Sequence, residues 1–165
     1  MPCPPRPEKP TNAIIEHTKK GCIFWFDPNN SDPSISSQCA RPYIILNTYN
    51  PKSTRVIISP ISDRNNYVEK GTEKTKYPYH APIYKKDNVF LDMDSVVLLD
   101  QMYTIPKDEL IEEWFMGKLS DNLELDQSLM YNFDMYSSIY EIYQQLFNEL
   151  SGKVKVEHME NFTRK

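Results

Sequence analysis

Gly21-Cys-Ile-Phe-Trp-Phe26, Arg41-Pro-Tyr-Ile-Ile-Leu46 and Arg55-Val-Ile-Ile-Ser59 decide the fold class. The first is a short β-branched and aromatic run closed by turn formers, which reads as a strand. The other two are continuous apolar runs of strand length, the pattern of strands buried on both faces. The first run ends in Asp27-Pro-Asn-Asn-Ser-Asp-Pro33 and opens a loop of about a dozen residues reaching Cys39. Loops that long inside a compact domain are usually functional or disordered. The second and third runs are joined through the turn-prone Asn50-Pro-Lys-Ser53.

Outward from these, Asp63 to Lys76 is polar and charged, contains Gly71, and reads as a mobile loop. Tyr77-Pro-Tyr-His-Ala-Pro-Ile-Tyr84 reads as extended, because each proline disfavours helix in the residue before it. Asn88-Val-Phe-Leu91 and Ser95-Val-Val-Leu-Leu99 complete the strand set. Short strands at short spacing imply an all-β barrel or sandwich.

The last third has a helical signature. Pro106-Lys-Asp-Glu-Leu-Ile-Glu-Glu-Trp-Phe115 starts with proline and places acids in a first turn, which predicts a helix ending at Gly117. Ser120 or Asp121 caps a second helix that stops at Gly152. Its Leu125, Leu129, Phe133, Tyr136, Tyr140, Tyr143, Phe147 and Leu150 recur by threes and fours, which reads as a packing stripe. Residues 1–20 form a proline-rich extension, extended or disordered at first, with one or two helical turns between Thr11 and Lys20. Residues 21–152 form the domain, and 153–165 a charged tail with no assigned fold.

Composition bounds the function. The chain suits one domain with a sizeable core, and no apolar run approaches the ~18–20 residues of a membrane span. The N-terminus lacks the apolar core of an export signal, so a cytoplasmic protein is expected. Three cysteines without CxxC spacing suit a reducing compartment, and the three histidines are far apart, so neither metal nor cofactor is expected. The net charge of −4 opposes a polyanionic partner on average. Residues 41–86, however, carry nine Lys/Arg against three acids, while 87–151 carry two against fourteen. Such asymmetry lets one face attract RNA; its plainer reading is ordinary solvated faces.

Several ordered segments resemble the MazF/PemK toxins of bacterial toxin–antitoxin pairs. Gly21-Cys-Ile-Phe-Trp-Phe-Asp27 is similar to the opening strand of that family, and Arg41-Pro-Tyr-Ile-Ile-Leu46 to its Arg-Pro strand. Val56-Ile-Ile-Ser-Pro-Ile-Ser62 resembles the strand ending in Pro-x-Thr/Ser. Tyr77-Pro-Tyr-His80 and Asp94-Ser-Val-Val-Leu-Leu-Asp-Gln-Met-Tyr-Thr104 resemble its later elements. The resemblance covers about residues 21–135 and implies a mainly β fold with α, a small SH3-like barrel (shared with CcdB) with appended C-terminal helices. It also implies metal-independent cleavage of single-stranded RNA (mRNA) at short motifs, by a homodimer, neutralised by a cognate antitoxin.

The implied catalytic residues are Arg41 and Ser62. RNA cleaves when its 2′-OH attacks the adjacent phosphate, so a catalyst must move protons and stabilise the extra charge. Arg41 offers a planar donor fork for phosphate oxygens and Ser62 one further donor. His80 is the candidate acid or base; arginine is a very poor base. Gln38, Arg64, Lys74, Lys76, Tyr79 and Gln101 are the candidate RNA contacts, with Tyr79 or Phe26 stacking a base and loop 28–39 as lid. Gln101, like Thr104, also suits holding the barrel or dimer together. The plainer readings are a strand-start charge for Arg41, a turn serine for Ser62 and a half-buried strand histidine for His80.

The sequence also departs from the family pattern: Cys22 replaces an acid, Ser-Gln-Cys-Ala precedes Arg41, and Tyr103 stands where arginine is frequent. The alternative functions are a CcdB-like non-enzymatic toxin and a catalytically silent binding protein on the same fold. The expected antitoxin segment is acidic, disordered when free, and folded over the basic face when bound.

Overall fold

The computed structural model describes residues 18–28, 40–110 and 114–163, with side chains to residue 152. The N-terminal helical turns, the loop 28–39 beyond Pro28, and Gln38 therefore lie outside the described residues.

Seven antiparallel strands form one curled sheet: β1 (Cys22–Phe26), β2 (Arg41–Ile45), β3 (Arg55–Asp63), β4 (His80–Ile83), β5 (Ser95–Leu98), β6 (Tyr103–Pro106) and β7 (Phe115–Lys118). Their spatial order is β4-β5-β3-β2-β1-β7, with β6 also on β3. The terminal strands β4 and β7 do not pair with each other, so the barrel is a half-barrel. The strands at Gly21, Arg41, Arg55 and Ser95 form where their sequences place them.

β3 is the hinge of the sheet. Arg55–Ile58 pair with β6 and Ile58–Pro60 with β2, while Ile61–Asp63 pair with β5. Pro60 has no N–H for the ladder, so the strand changes partner where proline interrupts pairing. β3 thus runs four residues beyond the Ser59 end read from the apolar run, and Ser62 lies within a strand.

Alternation puts two cores on the two faces of the sheet. One holds Ile23, Ile44, Ile61, Ala81, Val97 and Leu99, covered by Leu125 of α1 (Leu123–Asn132). The other holds Phe24, Phe26, Tyr43, Ile45, Ile58 and Ile105. Each fully buried side chain of this size contributes about 1.5–3 kcal/mol. Lys20 is ion-paired to Asp126 and ties the approach to β1 to α1.

Four expectations are overturned. Asn88–Leu91 is a pair of turns, Asn88 N donating to Lys85 O and Leu91 N to Asn88 O, with Asn88 Nδ2 on Tyr84 O. The helix expected from Pro106 reduces, among the described residues, to a 3-10 turn at Lys107–Glu109, followed by β7. Gly117 ends no helix. It sits in β7 under the Phe90 ring, which occupies the place of any Cβ. The helix expected to run unbroken to Gly152 is two: α1 stops at Asn132, Asp134 turns through φ 51°, and α2 spans Tyr136–Thr163. The cap position of α1 is Asn122 rather than Ser120 or Asp121, and Asp121 Oδ1 accepts from Leu123 N at 3.0 Å just ahead of the helix.

The polar 63–76 segment is built as a small hairpin. Glu69 N donates to Lys74 O and Lys76 N to Tyr67 O, with Gly71 at positive φ in the tip. The apolar stripe packs only at its start: Leu125 is buried, but Tyr140, Tyr143, Phe147 and Leu150 are exposed on α2.

Candidate active site

The pairing registers build the site. Phe26 lies opposite Arg41 between β1 and β2, and Tyr43 opposite Pro60 between β2 and β3. The β2–β3 pairing ends at Tyr43 and Pro60, and Ser62 lies opposite Val96 of β5. Alternation along each strand puts Arg41 on the face of Tyr43 and Ser62 on the face of Pro60. Opposed residues of an antiparallel pair share a face. Arg41 and Ser62 therefore stand on one face, at the fork where β3 leaves β2 for β5. Both are partly exposed.

Arg41 begins β2, and its guanidinium carbon lies 5.9 Å from the centroid of the Tyr43 ring. Its Nε is buried without a hydrogen-bond partner. Among the described residues no ion pair joins it to a carboxylate. Tyr43 is buried, its ring edge-on to Phe26 at 5.6 Å and to Tyr103 at 6.3 Å. Its hydroxyl makes no hydrogen bond of good geometry, although the Arg41 side chain is within reach of it. Burial pushes the Tyr43 phenol above its ordinary pKa, with the neighbouring Arg41 pulling the other way. Sequence reading missed Tyr43, although the period of two along a strand places residue 43 on the face of residue 41.

His80 is not brought to this pair. It lies on β4, three strands from β2 and two from β3 in the sheet order. Its ring is 3% exposed and edge-on to Tyr67, Tyr77 and Tyr79, and Nε2 is 3.2 Å from Asp100 Oδ1.

The candidate RNA contacts divide. Arg64 is buried: its guanidinium lies over Tyr84 and bonds the Glu73 carbonyl and carboxylate, fastening the hairpin to the sheet. Lys74 and Lys76 are exposed on that hairpin, Lys76 Nζ donating to Asn66 O at 2.9 Å. Tyr79 is partly exposed and stacked on Tyr77 at 5.2 Å. Partial burial, then the Asp100 carboxylate, raises its phenol pKa. Gln101 closes the turn after β5, its N–H on Leu98 O, and Thr104 lies in β6. Phe26 is buried.

On the opposite face of the sheet an apolar groove of about 500 Å³ runs between the sheet and α1. Leu46, Ile57, Met102, Leu129, Phe133 and Met135 line it, with Ile57 39% and Phe133 58% exposed. Among the described residues no group of His, Cys, Asp and Glu is placed to hold a metal ion, and no helix is long and apolar enough to cross a membrane.

Known proteins share this architecture. Residues 19–130 match the family described as PemK-like, MazF-like toxin of type II toxin–antitoxin system. An endoribonuclease MazF of Staphylococcus epidermidis is 36% identical over 105 residues, spanning 59% of this chain and 81% of that one. A mycobacterial endoribonuclease superposes with a TM-score of 0.50 over 73% of this chain and 95% of its own, at 15% identity. A second, solved in complex with its cognate antitoxin, has a TM-score of 0.50 over 70% and 94% at 18% identity. These two likenesses concern the fold. The family match, spanning β1 through most of α1, settles the relationship: this chain belongs to the PemK-like, MazF-like toxins of type II toxin–antitoxin systems.

Proposed function

We propose that this chain is an endoribonuclease toxin that cuts single-stranded mRNA in the cytoplasm at short motifs, without a metal ion. What supports the reading is that alternation from the Tyr43–Pro60 pair puts Arg41 and Ser62 on one face of the sheet, where β2 and β3 part. A guanidinium fork is suited to an incoming phosphate. The 2′-hydroxyl gives up its proton as its oxygen attacks phosphorus. The bond to the 5′-oxygen breaks and that oxygen takes up a proton, leaving a 2′,3′-cyclic phosphate and a 5′-hydroxyl. Arg41 stabilises the extra charge on the phosphorane, and the Ser62 hydroxyl donates to a non-bridging oxygen. Lys74, Lys76 and Tyr79 suit outer contacts with the strand, whereas the burial of Arg64 and His80 favours roles in holding the hairpin and sheet.

The apolar groove beside α1 supports a homodimer with a second copy of the chain across it. Exposed Ile57 and Phe133 are the kind of patch a subunit interface covers. The antitoxin of the mycobacterial relative supports a cognate antitoxin here, an acidic segment that competes for the basic face.

Expression of the parent, Arg41→Ala and Ser62→Ala chains in growing cells tests the reading. The parent arrests growth and both variants relieve the arrest. Two variants as toxic as the parent would contradict RNA cutting and favour a non-enzymatic toxin.

A further inference from the structure

The strongest unexplained feature beside the proposed site is a pair of unpartnered buried polar atoms, Arg41 Nε and the Tyr43 hydroxyl oxygen. They belong to residues two apart on one strand, so both side chains leave the same face. The Tyr43 ring is 1% exposed and clamped edge-on by Phe26 and Tyr103, so the hydroxyl has a fixed position. The guanidinium of Arg41 rests beside that ring. A buried hydroxyl without a partner costs stability, and phenylalanine would fill the same space without the cost. Packing accounts for the ring but not for its oxygen.

We propose that Tyr43 is a positioning residue for Arg41: its hydroxyl accepts from Arg41 Nε–H when RNA is bound and holds the two terminal nitrogens of the fork toward the scissile phosphate. The inference rests on the nuclease reading and deepens it. A guanidinium has one Nε–H and two pairs of terminal N–H groups. Anchoring the first on a rigid ring leaves the other two free to bind phosphate as a fork and fixes their plane. The neutral phenol suits the task, since burial keeps it protonated and adds no second charge. Tyr43 itself is too enclosed to meet the substrate, so its effect passes through Arg41.

The test compares the full-length parent, Tyr43→Phe, Arg41→Lys and the double variant by single-turnover cleavage of one long single-stranded RNA, alongside thermal melting. Tyr43→Phe lowers kcat by about ten- to a hundredfold with KM within about twofold, the signature of lost orientation in the transition state. It melts at or above the parent temperature, because it removes an unsatisfied hydroxyl. Lysine has no Nε–H in a planar fork, so Tyr43→Phe has no further effect in the Arg41→Lys background. A variant Tyr43→Phe that cuts like a cutting parent overturns this inference alone. So does an equal loss from Tyr43→Phe in both backgrounds, which would make its role independent of Arg41. A parent that leaves the RNA intact overturns the nuclease reading, and this inference with it.

Discussion

His80 Nε2 lies 3.2 Å from Asp100 Oδ1, and three tyrosine rings close around the same imidazole. The contacts join β4, the turn after β5 and the 63–76 hairpin. These contacts favour a role for His80 in holding the sheet together rather than in proton transfer. His80→Ala is expected to destabilise the protein by about 2–4 kcal/mol, as for other buried ring deletions. RNA cleavage per folded molecule should stay within a few-fold of the parent. Denaturant unfolding paired with cleavage assays measures both, and a hundredfold loss of kcat in a fully folded variant would restore a chemical role for the ring.

The groove on the other face predicts an oligomeric state. Ile57 is 39% exposed among Leu46, Met102 and Leu129. Ile57→Glu would place a charge in a desolvated contact and weaken a dimer by at least about thirtyfold, as expected at an interface centre. Sedimentation of parent and variant at micromolar concentration checks this. A monomeric parent would contradict the dimer.

Gly117 is where β7 passes under Phe90, whose ring fills the position a Cβ needs. Gly117→Ala should cost about 1–3 kcal/mol through overpacking. Gly152, with open space around it in α2, is the control: Gly152→Ala should be neutral or slightly stabilising. Equal melting temperatures for the parent and Gly117→Ala would show that Phe90 yields freely.

Alkaline stability follows from two buried acids. Burial raises the Cys22 thiol, against Lys19 and Lys118, and it raises the Tyr43 phenol. Both groups are kept protonated by the fold, so their contribution is complete at neutral pH. It is lost as pH rises past the unfolded values, from about 9 for the thiol and about 10 for the phenol. Urea unfolding between pH 8 and 11 should show stability falling in that window, and less steeply in Tyr43→Phe. Identical slopes for the parent and Tyr43→Phe would contradict burial of the phenol.

Much of the sheet is legible locally. Cys22–Phe26, Arg41–Ile45 and Ser95–Leu98 are apolar runs of strand length, and they form strands. β7 is not legible in this way. Phe115–Lys118 follows a proline and a string of acids that favours a helix, and becomes a strand because β1 supplies its partner, Cys22 opposite Lys118. Nothing within the segment records that distant pairing. The break between α1 and α2 is equally silent, since it falls at Asp134, without glycine or proline. Asparagine and aspartate enter the left-handed region at lower cost than other residues, but nothing near residue 134 marks it for that turn. Arg41 and Ser62 are singled out by their motifs, and alternation from the Tyr43–Pro60 pair puts them on one face. The burial of His80 and Arg64 is not legible, because Tyr67, one of the rings around His80, and Glu73, the partner of Arg64, come from a hairpin that reads locally as loop. Tyr43 was within reach of the strand period, yet its enclosure depends on Tyr103 of β6.

The most direct measurement incubates the purified full-length protein with one long single-stranded RNA in EDTA and maps the cut ends. The account predicts cuts at a recurring short sequence, ending in a 2′,3′-cyclic phosphate and a 5′-hydroxyl, with Arg41→Ala slower by about 10²–10³-fold. A strict requirement for Mg²⁺, or an Arg41→Ala variant that cuts as fast as the parent, would contradict it.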